Sequence, residues 1–168
     1  ANDAASGVGV LLELAQVLSE NYELNNEIWL VFFDAEDNGR IEGWDWILGS
    51  TYMAENLEIE PEYLILLDMI GEVNQDLYYE GNSMQAAPEL TEDIWETAAE
   101  LGYEEYFIPT VRHTMIDDHR PFIDRGIPAV DIIDFDYTYW HTTGDTLDKI
   151  SVDSLTRVGR VLEAYLKQ

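Results

Sequence analysis

Cysteine is absent from the 168 residues. That removes disulfides and thiolate metal ligands from consideration and leaves the redox compartment unreadable. Basic residues are scarce: 8 Lys and Arg stand against 35 Asp and Glu, for a net charge of −27. Lysine occurs only as Lys149 and Lys167. Such a polyanion is unsuited to nucleic acid and to anionic membrane surfaces, because phosphate binding requires clustered Lys and Arg. No apolar run approaches the roughly 20 residues that cross a bilayer, so membrane insertion is not expected. No signal peptide, internal repeat, linker or low-complexity segment is visible. A lysine-poor acidic surface suits high salt, where screening removes self-repulsion, so a halophilic or salt-tolerant source is expected.

What remains is sufficient for a core. Hydrophobic residues make up 46% of the chain, which fits one domain. The chain is organised around Ile28–Gly39. Ile28 to Phe33 run apolar without alternation, which predicts a strand buried on both faces of a parallel sheet. Asp34, Glu36 and Asp37 follow at once, where ligands of open α/β sheets bind. The competing reading of these acids is a solvated loop.

In chain order, Val8, Leu11, Leu12, Ala15 and Leu18 recur at helical spacing, with Asn2, Asp3 or Ser6 as candidate caps. A turn over 21–26 leads into the strand just described. Residues 38–47 read as a loop bearing Gly39, Trp44 and Trp46. A short helix opens at Gly49-Ser50 and runs to about Asn56. Tyr63–Met69 is a second buried-strand run that also delivers a carboxylate, Asp68. Residues 76–80 read as a strand, Leu90–Leu101 as a helix and Tyr106–Val111 as a short strand. Pro121 disfavours helical backbone at the residue before it. Ala129–Asp134 reads as a strand, and Ser151 caps a terminal helix with Leu155, Val158, Leu162 and Leu166 inward. Alternating strands and helices predict an α/β fold: a mostly parallel twisted sheet with helices on both faces.

The chemistry-bearing candidates are Asp3, Glu36, Asp37, Asp68, Asp117 and His141. A His with two carboxylates is a reasonable zinc set, with three protein ligands and an open position. The remaining carboxylates are then available as a base and as supports for the ligands. Spacing alone leaves this open, because the set is scattered over most of the chain. Trp44 and Trp46 either wall a pocket or pack the loop down. His113 reads as a surface residue, and His119 as a residue holding its loop by hydrogen bonds. Asp134 and Asp136 read as solvated, and Asp145 as a loop-orienting or turn residue.

Several motifs sharpen the picture. Asn2-Asp3-Ala4-Ala5-Ser6-Gly7 resembles the opening motif of the zinc exopeptidases of metallopeptidase family 28. Asp34-Ala35-Glu36-Asp37 with Gly49-Ser50 resembles their acidic pair and the Gly-Ser that follows. Asp68-Met69-Ile70-Gly71 resembles their strand-end Asp. Asp118-His119 with Pro121-Phe122, then Gly126-Ile127-Pro128, then Trp140-His141-Thr142 with Asp145-Thr146, continue the pattern in order. The resemblance spans essentially the whole chain. It implies a zinc-exopeptidase-like three-layer sandwich and zinc ligation by Asp3, Asp37 and His141. It implies Glu36 as general base and a secreted or extracytoplasmic location. Asp37 stands where most members of the family have Glu, and its shorter arm must approach a metal more closely.

Two chemistries share that family pattern. The resemblance to bacterial glutaminyl cyclases lies in Asp-Ala-Glu-Asp with Gly39, the run from Trp46 to Ser50, the doubled Asp117-Asp118, and Asp131 after Gly-Ile-Pro. It implies one zinc, a proton-handling network of Glu36, Asp68 and Asp117, and a pocket shaped by Trp44, Trp46 and Trp140. The substrate it implies is a peptide or protein N-terminus, converted to pyroglutamate with release of ammonia. The aminopeptidase alternative uses two zincs, the second held by Asp68 and a His upstream of the chain, and hydrolyses the first peptide bond. A third reading is a non-catalytic acidic binding domain. The resemblance also carries the expectation that 1–168 is a single catalytic domain lacking an upstream N-terminal segment.

Overall fold

The computed structural model of the chain describes residues 1–21 and 24–168. The expected turn over 21–26 therefore lies partly outside the described residues. In order the chain forms α1 (Ala5–Asn21), α2 (Leu48–Glu55), β1 (Leu64–Asp68), β2 (Leu77–Glu80), α3 (Gly81–Ala86), α4 (Pro88–Glu100), β3 (Phe107–His113), α5 (Arg120–Asp124), β4 (Ala129–Ile133) and α6 (Val152–Leu166). Short 3-10 turns stand at Asp37–Arg40 and Leu147–Lys149. Both strand pairs are parallel. β1 pairs with β4 in the register Leu64 to Ala129 through Asp68 to Ile133. β2 pairs with β3 from Leu77 opposite Phe107, with irregular register after Tyr78. β2 also packs beside β4.

The period of two along β1 and β4 sorts the helices onto two faces. Ile65, Leu67, Val130 and Ile132 join a core with Val10, Leu14 and Leu18 of α1, Ile94 and Trp95 of α4, and Val158, Val161 and Leu162 of α6. Leu64 and Ala129, of opposite parity, pack with Ala54 of α2 and with Phe122 and Ile123 of α5. The mixed α/β architecture with helices on both sides of parallel strands is as expected. Helix α1 approaches β1 closely enough that a Cβ on Gly7 would lie 2.4 Å from the Leu67 carbonyl oxygen. The buried stripe of α1 is accordingly Gly7, Val10, Leu14 and Leu18, while Val8, Leu12 and Ala15 of the predicted stripe face outward.

The largest departure concerns Ile28–Phe33. This run was expected to be a strand buried on both faces, but it pairs with no strand among the described residues. Trp29 is 45% and Phe32 50% exposed. A cavity of about 460 Å³ separates Ile28–Phe33 from Tyr63–Leu67, with Gly7, Leu11 and Phe122 on its walls. An apolar run becomes a doubly buried strand only when ladders form beside it, and none forms here. Its C-terminal end is nevertheless anchored, because Gly49 N–H donates to the Asp34 carbonyl at 3.0 Å and Ile47 N–H to the Glu36 carbonyl at 2.9 Å.

Smaller corrections have local causes. Pro121 lies inside the first turn of α5 rather than ahead of a break, a position where the missing N–H costs nothing. Leu101 caps α4 from the surface. His113 ends β3 half-buried, with Nε2 3.3 Å from Asp136. Asp134 is fully buried rather than solvated, and Asp136 is half-buried against Arg112 at 3.0 Å.

Candidate metal centre and the carboxylates behind it

Asp3 precedes α1, Asp37 opens the 3-10 turn after Ile28–Phe33, and His141 lies in the loop after β4. The fold brings them together, each offering one ligand atom, all within 4.8 Å of one another. His141 Nε2 stands 3.5 Å from Asp3 Oδ2 and 3.0 Å from Asp37 Oδ1. Burial first, and then the Asp37 charge, raises the Asp3 carboxyl above its ordinary range. Two carboxylates and one imidazole, short of positive charge and open on one side, fit a divalent cation such as zinc.

Two of the three candidate ligands, Asp3 and His141, are held from behind. Asn2, fully buried, donates from Nδ2 to the Met69 carbonyl at 3.0 Å and accepts from Gly71 N–H at 2.7 Å. Ser6 Oγ accepts from Ile70 N–H at 3.1 Å. Asp145 accepts from Asn2 N–H at 2.8 Å, from Asp3 N–H at 3.2 Å and from the Tyr137 hydroxyl at 2.6 Å, and it also pairs with the Ala1 amine. Burial opposes ionisation of Asp145, but these donors outweigh it and bring the carboxyl to about 2. Its two sequence readings resolve in favour of orientation: Asp145 ties the backbone of Asp3 to the loop that carries His141. The His141 ring stacks on Trp140 at 4.1 Å and 26°, and Trp140 leans on Phe135 at 4.9 Å.

Three non-glycine residues with left-handed backbone mark the same place: Ala35 at φ 61°, Met69 at φ 48° and His141 at φ 56°. They sit beside Glu36, beside Asp68 and at the imidazole itself. Such conformations cost about 1–2 kcal/mol each and persist where surrounding structure enforces them.

Behind the trio stands a set of carboxyls with few donors. Glu36 is raised to about 8, first by burial, then by a hydrogen bond with Asp37 and by the charges of Asp117, Asp37 and Asp118. Asp68, at the end of β1, is raised well above its usual range by burial and by Asp117, Asp3 and Glu36. Its Oδ1 is sealed from solvent without a hydrogen-bond partner. Asp117 rises to about 6 through burial, although Asp118 N–H donates to it at 2.6 Å. Asp131, fully buried in the middle of β4, is raised well above its usual range by burial and by Asp117 and Asp68. Like charges at such spacing cannot all ionise, so the set holds protons near neutrality.

The three candidate pocket aromatics separate. Trp140 belongs to the His141 wall. Trp46 is pinned over Gly39, where a Cβ would meet its ring at 2.0 Å, with the Arg40 guanidinium 5.8 Å from the ring centroid. Trp44 is 55% exposed and makes no ring stack among the described residues. Sequence reasoning passed over Glu80 and gave Asp131 no role. The available signal was a carboxylate in the middle of an apolar strand, which has no place there without a partner.

Two carboxylates and an imidazole within one ion's reach, with proton-holding carboxyls beside them, make a candidate divalent-metal site. Its family follows from comparison: residues 1–166 match the model of peptidase family M28, and the chain belongs to that family. Among curated relatives, it is 25% identical to a glutaminyl-peptide cyclotransferase-like protein of Bos taurus, covering 100% of this chain and 51% of the relative. It is 30% identical to aminopeptidase YwaD of Bacillus subtilis, covering 98% of this chain and 36% of the relative. The chain thus spans about half or less of these relatives' length. Among solved structures, Porphyromonas gingivalis glutaminyl cyclase superposes with a TM-score of 0.92 at 40% identity, over 98% of this chain and 64% of that one. A Zn-dependent exopeptidase from Parabacteroides distasonis gives 0.91 at 35%, over 99% and 63%.

Proposed function

We propose that the chain carries the active centre of a zinc-dependent glutaminyl-peptide cyclotransferase acting on peptide N-termini. The observation that carries this reading is the buried carboxyl set of Glu36, Asp68, Asp117 and Asp131 beside the trio, crowded enough that protons stay on it. In this reading Asp68 holds a proton rather than a metal. The glutaminyl cyclases among the similar structures support the same choice.

Asp3, Asp37 and His141 would hold the zinc, with Asp145 and Trp140 fixing two of the three. When bound, zinc would polarise the side-chain amide carbonyl of an N-terminal glutamine. The substrate α-amine forms the new C–N bond at that carbonyl carbon, and the bond to the amide nitrogen breaks. Glu36 takes the proton the amine sheds and gives it to the departing nitrogen, which leaves as ammonia. Water is neither consumed nor needed, so a base that takes and returns one proton is the requirement. A carboxyl with raised proton affinity meets it near neutral pH. Asp68, raised well above its usual range, holds its own proton, and the Asp117 charge strengthens the hold of Glu36 on the one it carries. Trp140, stacked on His141, would border the bound substrate, and Trp44 and Trp46 lie on the loop that follows Asp37.

Aminopeptidase activity is the second reading, favoured by the likeness to aminopeptidase YwaD. There Glu36 would deprotonate water for attack on the first peptide bond. The deciding experiment measures zinc per chain, with ammonia release from a glutaminyl peptide and hydrolysis of a leucyl substrate in parallel. One zinc with ammonia release supports the cyclotransferase. Two zincs with leucyl hydrolysis replace it by the aminopeptidase, and neither zinc nor activity leaves a binding domain. Glu36→Gln should lower turnover at least about 100-fold while zinc stays bound. Loss of zinc in that variant would overturn the division of roles.

A further inference from the structure

His119 has no role in the reaction as derived, yet it lies at the back of the site and its side chain is wholly shielded from solvent. Its Nε2 is 3.2 Å from Glu80 Oε2, and its Nδ1 is 3.7 Å from Asp131 Oδ2. The first contact is within hydrogen-bonding distance, and neither ring nitrogen has another partner among the described residues. Both ring nitrogens thus face carboxylate oxygens. A neutral imidazole has one N–H and one lone pair, so a lone pair would face oxygen on one side. One further proton must lie on the ring or on Asp131.

Glu80 cannot supply it. Its oxygens already accept from Asn82 N–H at 2.9 Å, Ser83 N–H at 2.7 Å, Ser83 Oγ at 2.8 Å and Met115 N–H at 3.1 Å. Ser83 Oγ in turn accepts from Asp131 N–H at 3.0 Å. Two links therefore join Glu80 to β4, one through Ser83 to the backbone and one through His119 to the side chain. The charged or titratable groups around His119 are Glu80 from the end of β2, Asp131 from β4, and Asp117 and Asp118 from its own loop. Asp68 of β1 and Asp117 face Asp131 in turn. Among the described residues no lysine or arginine forms an ion pair with any of them. The imidazole is the one group in the nest that can carry positive charge.

We propose that His119 is a positioning residue: gripped between Glu80 and Asp131, it fixes where the proton of the buried carboxyl set resides and keeps Asp131 and Asp117 oriented behind Glu36. This rests on Glu36 being the base of the reaction. Removing the imidazole takes from Asp131 the group that favours its charged form, so Asp131 then keeps its proton to higher pH. A buried acid that binds its proton more tightly folded than unfolded contributes stability at low pH that is lost as pH rises. In the folded chain the imidazole and Asp131 therefore stabilise one another, and removing either costs less once the other is gone.

The test compares wild type, His119→Gln, Asp131→Asn and the double variant. It reads zinc content, kcat and KM on a glutaminyl peptide, and denaturant-unfolding stability between about pH 5 and pH 8. The expected result for His119→Gln is unchanged zinc and KM, and a kcat lower by about tenfold or more. Its loss of stability at a fixed pH should be smaller in the Asp131→Asn background, so that the double-variant cycle shows coupling between the two side chains. An equal loss of stability in both backgrounds overturns the proposal. If wild type releases no ammonia, the cyclotransferase reading fails by itself, and the stability profiles still decide the role of His119. If His119→Gln does not fold, Asp131→Asn decides: it must flatten the pH profile, and an unchanged profile overturns the proposal.

Discussion

Glu80 and Asp131 lie on opposite sides of one imidazole, both wholly buried, and their carboxyls behave in opposite ways. Burial opposes ionisation of Glu80, but His119, two backbone N–H groups and the Ser83 hydroxyl outweigh it and bring the carboxyl to about 2. Asp131 has no side-chain hydrogen bond and is surrounded by other acids, so it stays well above its usual range. Burial is common to both; the number of donors differs. A carboxylate supplied with donors is a structural anion, here the cap of α3, and one deprived of them is a proton store. The division of labour within the site follows from where backbone N–H groups happen to converge.

That contrast can be broken experimentally. The largest effect is expected for Glu80→Ala, which strands four donors and the imidazole and uncaps α3. It should destabilise by about 3–5 kcal/mol in urea unfolding, and a loss near zero would mean that the donors are not holding an anion. Asp145 is the donor-rich counterpart at the metal trio. Asp145→Asn should weaken zinc binding by about 10- to 100-fold, read by chelator competition, and unchanged affinity would remove it from the positioning of Asp3. The contribution of Asp145 to stability should persist at neutral pH and fade as pH falls through about 2, because its carboxyl is lowered.

Asp134 tests the donor-poor class away from the metal. Burial and the charges of Asp76 and Glu72 raise it to about 8. Its proton is held more tightly in the folded chain, so stability should decline as pH climbs from about 4 towards 8. Asp134→Asn should flatten that decline, and an unaltered slope would show that the pair with Asp76 is ionised after all. The smallest change is expected for Asp131→Asn below about pH 4, where an amide replaces a carboxyl that is protonated in both the folded and the unfolded chain. A shift within about 1 kcal/mol is expected; a loss as large as that of Glu80→Ala would erase the distinction between the two acids.

Much of this was readable from local chemistry. The run Tyr63–Met69 and the run Ala129–Asp134 became β1 and β4 because each is mostly β-branched or aliphatic, with carboxylates the exceptions. Ser151 caps α6, accepting from Asp153 N–H at 3.2 Å. The ordered motifs brought Asp3, Glu36, Asp37, Asp68, Asp117 and His141 forward as candidates, since carboxylates at strand ends have few other uses in an α/β chain. The same reasoning misjudged Ile28–Phe33, Asp134 and Glu80, each for a nonlocal reason. A strand needs a neighbour, and an apolar run does not say whether one stands beside it. A carboxylate's fate depends on donors supplied from elsewhere in the chain: Glu80 receives Met115 from 35 positions away, and Asp145 receives Asn2 from 143 positions away. Residue types and their spacing therefore determine that the chain alternates strands with helices and carries acids where strands end. Which acids become metal ligands, structural anions or proton stores is decided only by tertiary structure, because desolvation and hydrogen bonding at each carboxyl are set by groups that folding brings to it.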